Sequence, residues 1–192
     1  MNHVLGLLRL PALPARTLHR YVGEGARVLV ERALGPEHRD RLETAVAAFM
    51  RYYGDHLLDT TRPYPGIVEA LAALSARGVA LSVLTNKPAA MSRAILEGLG
   101  LASRFVDILG GDSLPARKPD PRGVEQLRAR TGTPRERMLL VGDSSIDVQT
   151  ARAGGIAFCG VAWGLAPEGL RAARPDRIIE HPAELVALVE RG

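Results

Sequence analysis

The sequence predicts an α/β protein, a doubly wound parallel sheet of Rossmann-like type preceded by a wholly helical segment. Three observations predict it. Apolar runs of strand length alternate with helix-length amphipathic stretches from about residue 62 onward, the pattern of a parallel sheet covered on both faces by helices. The first third carries helical periodicity alone. Between the two, residues 59–66 punctuate the chain with Pro63, Pro65 and Gly66, which sets the expected domains at residues 1–61 and 62–192.

In the first domain Leu42, Val46, Phe49, Met50 and Tyr53 recur at helical spacing. Val28, Leu29 and Ala33 form a shorter amphipathic stretch after the Gly23-Glu24-Gly25 break. In the second, Pro65 opens a helix whose apolar face is Ile67, Leu71 and Leu74, and Gly78 closes it. Val79 to Leu84 is then a buried strand. The cycle repeats: a helix near Ala89 to Gly98 precedes a strand near Phe105 to Leu109, a helix after Pro121 precedes Met138 to Val141, and a helix near Ile146 to Ala153 precedes Ile156 to Val161.

Composition removes several classes of function. With 192 residues, 46% hydrophobic and 24% charged, the chain can bury a core and is not of disordered type. Its single cysteine, Cys159, excludes an internal disulfide and a cysteine zinc cluster, and fits a reducing cytoplasm. The apolar start, Met1 to Leu10, is broken by Arg9 and Pro11, so neither a signal peptide nor a membrane span is expected. A net charge of +4 invites a nucleic-acid reading, but the basic residues are interleaved with acids, as in Glu31-Arg32 and Glu136-Arg137, and no nucleic-acid partner is expected. Of the 25 basic residues only Lys87 and Lys118 are lysines. An ammonium is a compact charge where a guanidinium is a broad fork, so the exceptions merit a chemical reason.

In open parallel sheets, ligands sit beyond the carboxyl ends of the strands. Thr85, Asp112 and Asp143 each lie just past a predicted strand. Thr85, Asn86 and Lys87 place a hydroxyl and an amide where a helix begins; such groups cradle phosphate oxygens, although they also serve as simple helix caps. Lys118 stands between Arg117 and Pro119-Asp120-Pro121, where stiff backbone can hold an ammonium against a phosphate; a surface turn is the plainer use. Asp143 ends an apolar strand after Gly142 and is followed four residues on by Asp147. Two carboxylates so placed suit a hard cation or a lysine, or else cap a helix and face water.

Taken in order and with their intervals, Thr85-Asn86-Lys87, Lys118-Pro119-Asp120-Pro121, and Gly142-Asp143 with Asp147 resemble the second, third and fourth motifs of the haloacid dehalogenase superfamily. The segment Tyr21 to Arg32 is similar to phosphoglycolate phosphatases, so the resemblance spans nearly the whole chain. It implies a magnesium-dependent hydrolase acting on a small phosphorylated metabolite through an aspartyl-phosphate, with residues 1–61 as a helical cap over the core. Thr85 and Asn86 would hold phosphoryl oxygens, Lys118 would stabilise charge, and Asp143 would serve the magnesium site. Asp147 would support that site or orient Lys118. Arg27, beside the Gly25 turn, would reach a substrate carboxylate or stand as an ordinary exposed arginine.

One departure stands out. The superfamily's first motif is a central strand ending in Asp-x-Asp, whose first acid attacks phosphorus, and this sequence has no two aspartates spaced by one residue. The expectation is therefore a core without its central first strand, a start that lies within the first cap helix, and a 192-residue chain that holds phosphate esters without turning them over. A non-catalytic phosphate-ester-binding or regulatory protein is the alternative.

Overall fold

The structure is a computed structural model that describes residues 1–165 and 167–189. The chain divides into two compact units, Met1–Asp59 and Thr60–Gly192. Among the described residues no helix is long and apolar enough to cross a membrane.

The first unit is helical: α1 (Asn2–Leu7), α2 (Ala15–Arg20), α3 (Ala26–Leu34) and α4 (Leu42–Asp55), with a 3-10 turn over Pro36–Arg41. Gly25 and Gly35, at φ 96° and 75°, bracket α3 in a backbone region that a side chain would strain. Val4, Leu5, Val30, Leu34, Leu42 and Ala45 form its core, with Phe49 and Val46 packed against them. Burying a side chain such as Leu5 contributes roughly 1.5–3 kcal/mol, and Leu5 is only 1% exposed. Both amide atoms of Asn2 bond the backbone of Leu13, at 2.9 and 3.0 Å, which folds the connection after α1 back onto it.

The second unit alternates helix and strand. Its order is α5 (Ile67–Ala76), β1 (Ser82–Leu84), α6 (Ala89–Gly98), β2 (Asp107–Leu109), α7 (Arg122–Thr131), β3 (Leu139–Gly142), α8 (Ser145–Gly154), β4 (Ala157–Val161), α9 (Pro167–Ala172), β5 (Ile178–Ile179) and α10 (Glu184–Val189). All pairings are parallel. They fall into two sheets, one of β1 and β2 with Ser82 opposite Asp107, the other in the order β3-β4-β5 with Leu139 opposite Ala157. Among the described residues β1 and β3 are therefore hydrogen-bonded to strands on one side only.

Helix α7 ties the two sheets into one unit. A Cβ at its Gly123 would meet Leu84 Cδ1 of β1 at 2.5 Å, while its Val124 lies against Gly154 of α8. Close helix packing of this kind needs glycine on one side. Two cores flank the three-stranded sheet, one of Leu74, Cys159, Val161, Ile179 and Leu185, the other of Val148, Ala151, Phe158 and Leu170. Along β3 the alternation is plain: Leu140 packs on the second core, whereas Leu139 and Val141 are each 41% exposed.

Candidate phosphate site at the strand ends

The tip of β1 is held by its neighbour, for the Thr85 N–H donates to Leu109 O at 2.9 Å. The next residues turn tightly, with Thr85 Oγ1 accepting from the Lys87 N–H at 3.2 Å. Asn86 is buried at 7% exposure, and its Nδ2 donates to Lys118 O at 3.1 Å. A side-chain-to-backbone bond therefore joins the β1 tip to the loop that carries the lysine. The Lys118-Pro119 peptide in that loop is cis.

Lys118 Nζ in turn donates to Asp147 Oδ1 at 2.6 Å. The other carboxylate oxygen of Asp147 accepts from the Ser144 N–H at 3.1 Å and the Ser144 hydroxyl at 2.6 Å, while Ser144 Oγ accepts from Asp147 N, a capping box that starts α8. Thr85, Asn86, Lys118 and Asp147 thus lie along one linked path from β1 to β3. An ammonium held by a carboxylate, on a loop tied to the tip of a parallel strand through a buried amide, is suited to an anion with several oxygens.

Asp143 follows β3 directly, and its carboxylate faces the loop after β4: Oδ2 accepts from the Leu165 N–H at 2.9 Å. The approach is so close that a Cβ on Gly164 would sit 2.1 Å from Asp143 Cβ. Gly142 does the same for the second acid, since a Cβ there would lie 2.5 Å from Asp147 Cβ.

The structure places the six expected residues unequally. Asn86, Lys118 and Asp147 are joined by the bonds above, Thr85 precedes Asn86 in the chain, and Asp143 follows β3 just ahead of α8, whose first turn carries Asp147. Asp147 Oδ1 accepts from Lys118 and its Oδ2 from Ser144, contacts through which it orients the ammonium. Arg27 lies in the first unit and forms a two-pronged ion pair with Glu43, at 2.9 and 2.5 Å, which raises its own pKa and lowers that of Glu43. Its guanidinium is thus engaged with a carboxylate of its own chain.

The turn after β1 does not itself start the next helix. Helix α6 begins at Ala89, after Pro88, and receives no cap from its own N-cap side chain. Proline offers neither an N–H nor a polar side chain, so the acceptor comes from elsewhere: Asp112 Oδ1, beyond β2, takes the Ala89 N–H at 2.8 Å. The sequence marks Asp112 as lying past a strand but not as the cap of a helix twenty-three residues earlier.

Asp120 has a separate task. The side chain of Arg122, and then its backbone N–H, hold the Asp120 carboxyl at about 2, which fixes the turn into α7.

These donors do not by themselves fit magnesium. The ion wants near-octahedral oxygen coordination, yet among the described residues no three acidic, histidine or cysteine side chains form a metal-holding group. Asp143 Oδ1 is the one oxygen of the two acids with no hydrogen bond among the described residues.

Comparison with known proteins agrees with the architecture. The family model of haloacid dehalogenase-like hydrolases matches residues 1–161. A phosphoglycolate phosphatase of Mesorhizobium japonicum is 38% identical over all of this chain and 86% of its own length. One from Neisseria gonorrhoeae is 40% identical over 92% of this chain and 78% of its own. The crystal structure of a predicted phosphoglycolate phosphatase from Haemophilus somnus superposes with a TM-score of 0.89 at 30% identity, covering 97% of this chain and 87% of that one.

Proposed function

Because the chain belongs to the haloacid dehalogenase-like hydrolase family and is a phosphatase-family enzyme, we propose that its strand-end site receives the phosphoryl group of a small phosphomonoester, 2-phosphoglycolate first among them. The observation that carries this reading is the 2.6 Å pair of Lys118 with Asp147, joined through Lys118 O to the buried Asn86. A fixed ammonium stabilises phosphoryl charge without reorganising when the ligand arrives. Thr85 and Asn86 supply further polar contacts at the same tip. Residues 1–61 act as the helical cap of this reading, a lid that excludes water from the reaction. A cytoplasmic setting suits both the substrate class and the single cysteine.

Magnesium serves the family reaction in this reading, with Asp143 contributing an oxygen. The donors present fall short of a complete site, so this chain is expected to hold the ion weakly. A parallel strand between β1 and β3 that ends in Asp-x-Asp would complete both the sheet and the donor set. The apolar Leu139 and Val141, each 41% exposed on β3, support that placement.

A second reading follows from the sequence itself. Without Asp-x-Asp there is no attacking carboxylate of the family kind, and the 192-residue chain then acts as a phosphate-ester-binding protein. Calorimetric titration with 2-phosphoglycolate tests the site common to both. Lys118→Ala should weaken binding about tenfold or more, the loss of one charge-assisted hydrogen bond, and Thr85→Ala should weaken it less. Unchanged binding in both variants removes the site from consideration.

A further inference from the structure

We propose that Asp112 is a positioning residue for the phosphate site, fixing the Asn86 to Ala89 backbone from the outside through its bond to the Ala89 N–H. The inference rests on the reading of Thr85, Asn86 and Lys118 as phosphate-holding groups, and adds the device that keeps them in register.

The loop after β2 is pressed onto that backbone. A Cβ on Gly110 would lie 2.2 Å from Ala89 N, and one on Gly111 would lie 2.5 Å from Asn86 O. No side chain fits at either position, so the two main chains touch directly. Gly111 N donates to Lys87 O at 2.9 Å, Gly110 N donates to Ser113 Oγ at 2.9 Å, and Asp112 Oδ1 accepts from Ala89 N at 2.8 Å. The segment is thereby held at Lys87 and again at Ala89.

The consequence reaches the lysine. Asn86 Nδ2 bonds Lys118 O, and Lys118 Nζ bonds Asp147, so a shift of the Asn86 turn moves the loop that carries the ammonium. A carboxylate near an anion site would ordinarily oppose the anion. Here its charge faces the first turn of α6, where the helix dipole and an otherwise uncapped N–H offset it. What the site requires of residue 112 is an acceptor at that point rather than a negative charge.

Asparagine separates the two requirements, since Asp112→Asn keeps an acceptor oxygen and loses the charge while Asp112→Ala loses both. Asp112 is exposed, so neither change disturbs the core. The 192-residue chain would be titrated calorimetrically with inorganic phosphate, alongside Thr85→Ala and Lys118→Ala. The expected result is about tenfold weaker binding for Asp112→Ala, the scale of a lost helix cap, and binding within about twofold of the parent for Asp112→Asn, the scale of an acceptor retained. Nitrogen-15 NMR should show the Ala89 amide losing exchange protection in the alanine variant and keeping it in the asparagine variant. If Thr85→Ala and Lys118→Ala weaken binding while Asp112→Ala does not, the inference falls and the site stands. Asparagine as weak as alanine also overturns it, because charge would then be the requirement. Failure of the parent to bind phosphate, or indifference to Thr85→Ala and Lys118→Ala, overturns the underlying reading together with the inference.

Discussion

Lys118 Nζ and Asp147 Oδ1 stand 2.6 Å apart, with side chains 13% and 7% exposed. Removing either partner strands the other in a poorly solvated place, at a cost of about 3 kcal/mol. The two losses should nevertheless differ. Asp147→Ala also empties the capping box with Ser144, which adds about 1 kcal/mol, so it should destabilise more than Lys118→Met in urea unfolding. The opposite order would mean that the ammonium, not the carboxylate, organises this corner.

A pair of glycines offers a sharper contrast. Gly164→Ala drives a Cβ to within 2.1 Å of Asp143 Cβ, whereas Gly169, inside α9, has no atom within 4 Å of the same construction. The first should lower stability by about 1–3 kcal/mol through overpacking. The second should raise it by roughly 0.5–1 kcal/mol, since alanine loses less backbone entropy in a helix. Scanning calorimetry on the two variants should give melting temperatures that move in opposite directions; a shift of both in one direction would contradict the contrast.

Much of this was legible in the sequence, and the gaps have physical causes. The run Val79 to Leu84 reads as one strand, whereas the paired strand is the shorter Ser82–Leu84, with one flanking bond from the Val106 N–H to Leu81 O. Val79 and Leu81 are apolar because they pack on the Leu74 and Cys159 core; an apolar run records burial, while a ladder needs a partner in register. The two-residue β5 and the helix α10 are too short for periodicity to announce them. The helices near Ala89 and after Asp143 are legible from their alternation with apolar runs, but their starts are not: Ser144 caps the second, and the Asp112 cap on Ala89 crosses between loops and leaves no fixed spacing. The same holds for Arg27, whose partner Glu43 lies on another helix of its unit.

Cys159 should be chemically silent in the native protein. It is 1% exposed, and burial, offset in part by Arg177, pushes its thiol from 9.0 up to about 11. The unfolded thiol therefore loses its proton first. Between about pH 9 and pH 11 the unfolded state binds fewer protons than the native state, so stability falls as pH rises through that window. A thiol-reactive disulfide reagent should label one equivalent in urea and almost none in buffer at pH 8, where the thiolate is also scarce. Rapid stoichiometric labelling of the native chain would contradict the burial of this residue.

Catalysis gives the most exposed prediction. The 192-residue chain, assayed with 2-phosphoglycolate and magnesium after purification from a host without related phosphatases, should show no turnover above background. Thr85, Asn86 and Lys118 can position and neutralise a phosphoryl group, but covalent transfer starts with an attacking carboxylate, and none of the family pattern is present in the sequence. A variant carrying an added amino-terminal strand that ends in Asp-x-Asp should be active. In that variant Lys118→Ala should remove roughly 3 kcal/mol of transition-state stabilisation, the effect of deleting one preorganised electrostatic group. Lys118→Arg should fail as well, because the planar fork cannot take the place of an ammonium bonded at 2.6 Å to Asp147. Metal-dependent turnover by the 192-residue chain itself, abolished by Asp143→Asn, would show that a different residue attacks phosphorus and would send the search to the carboxylates already at the strand ends.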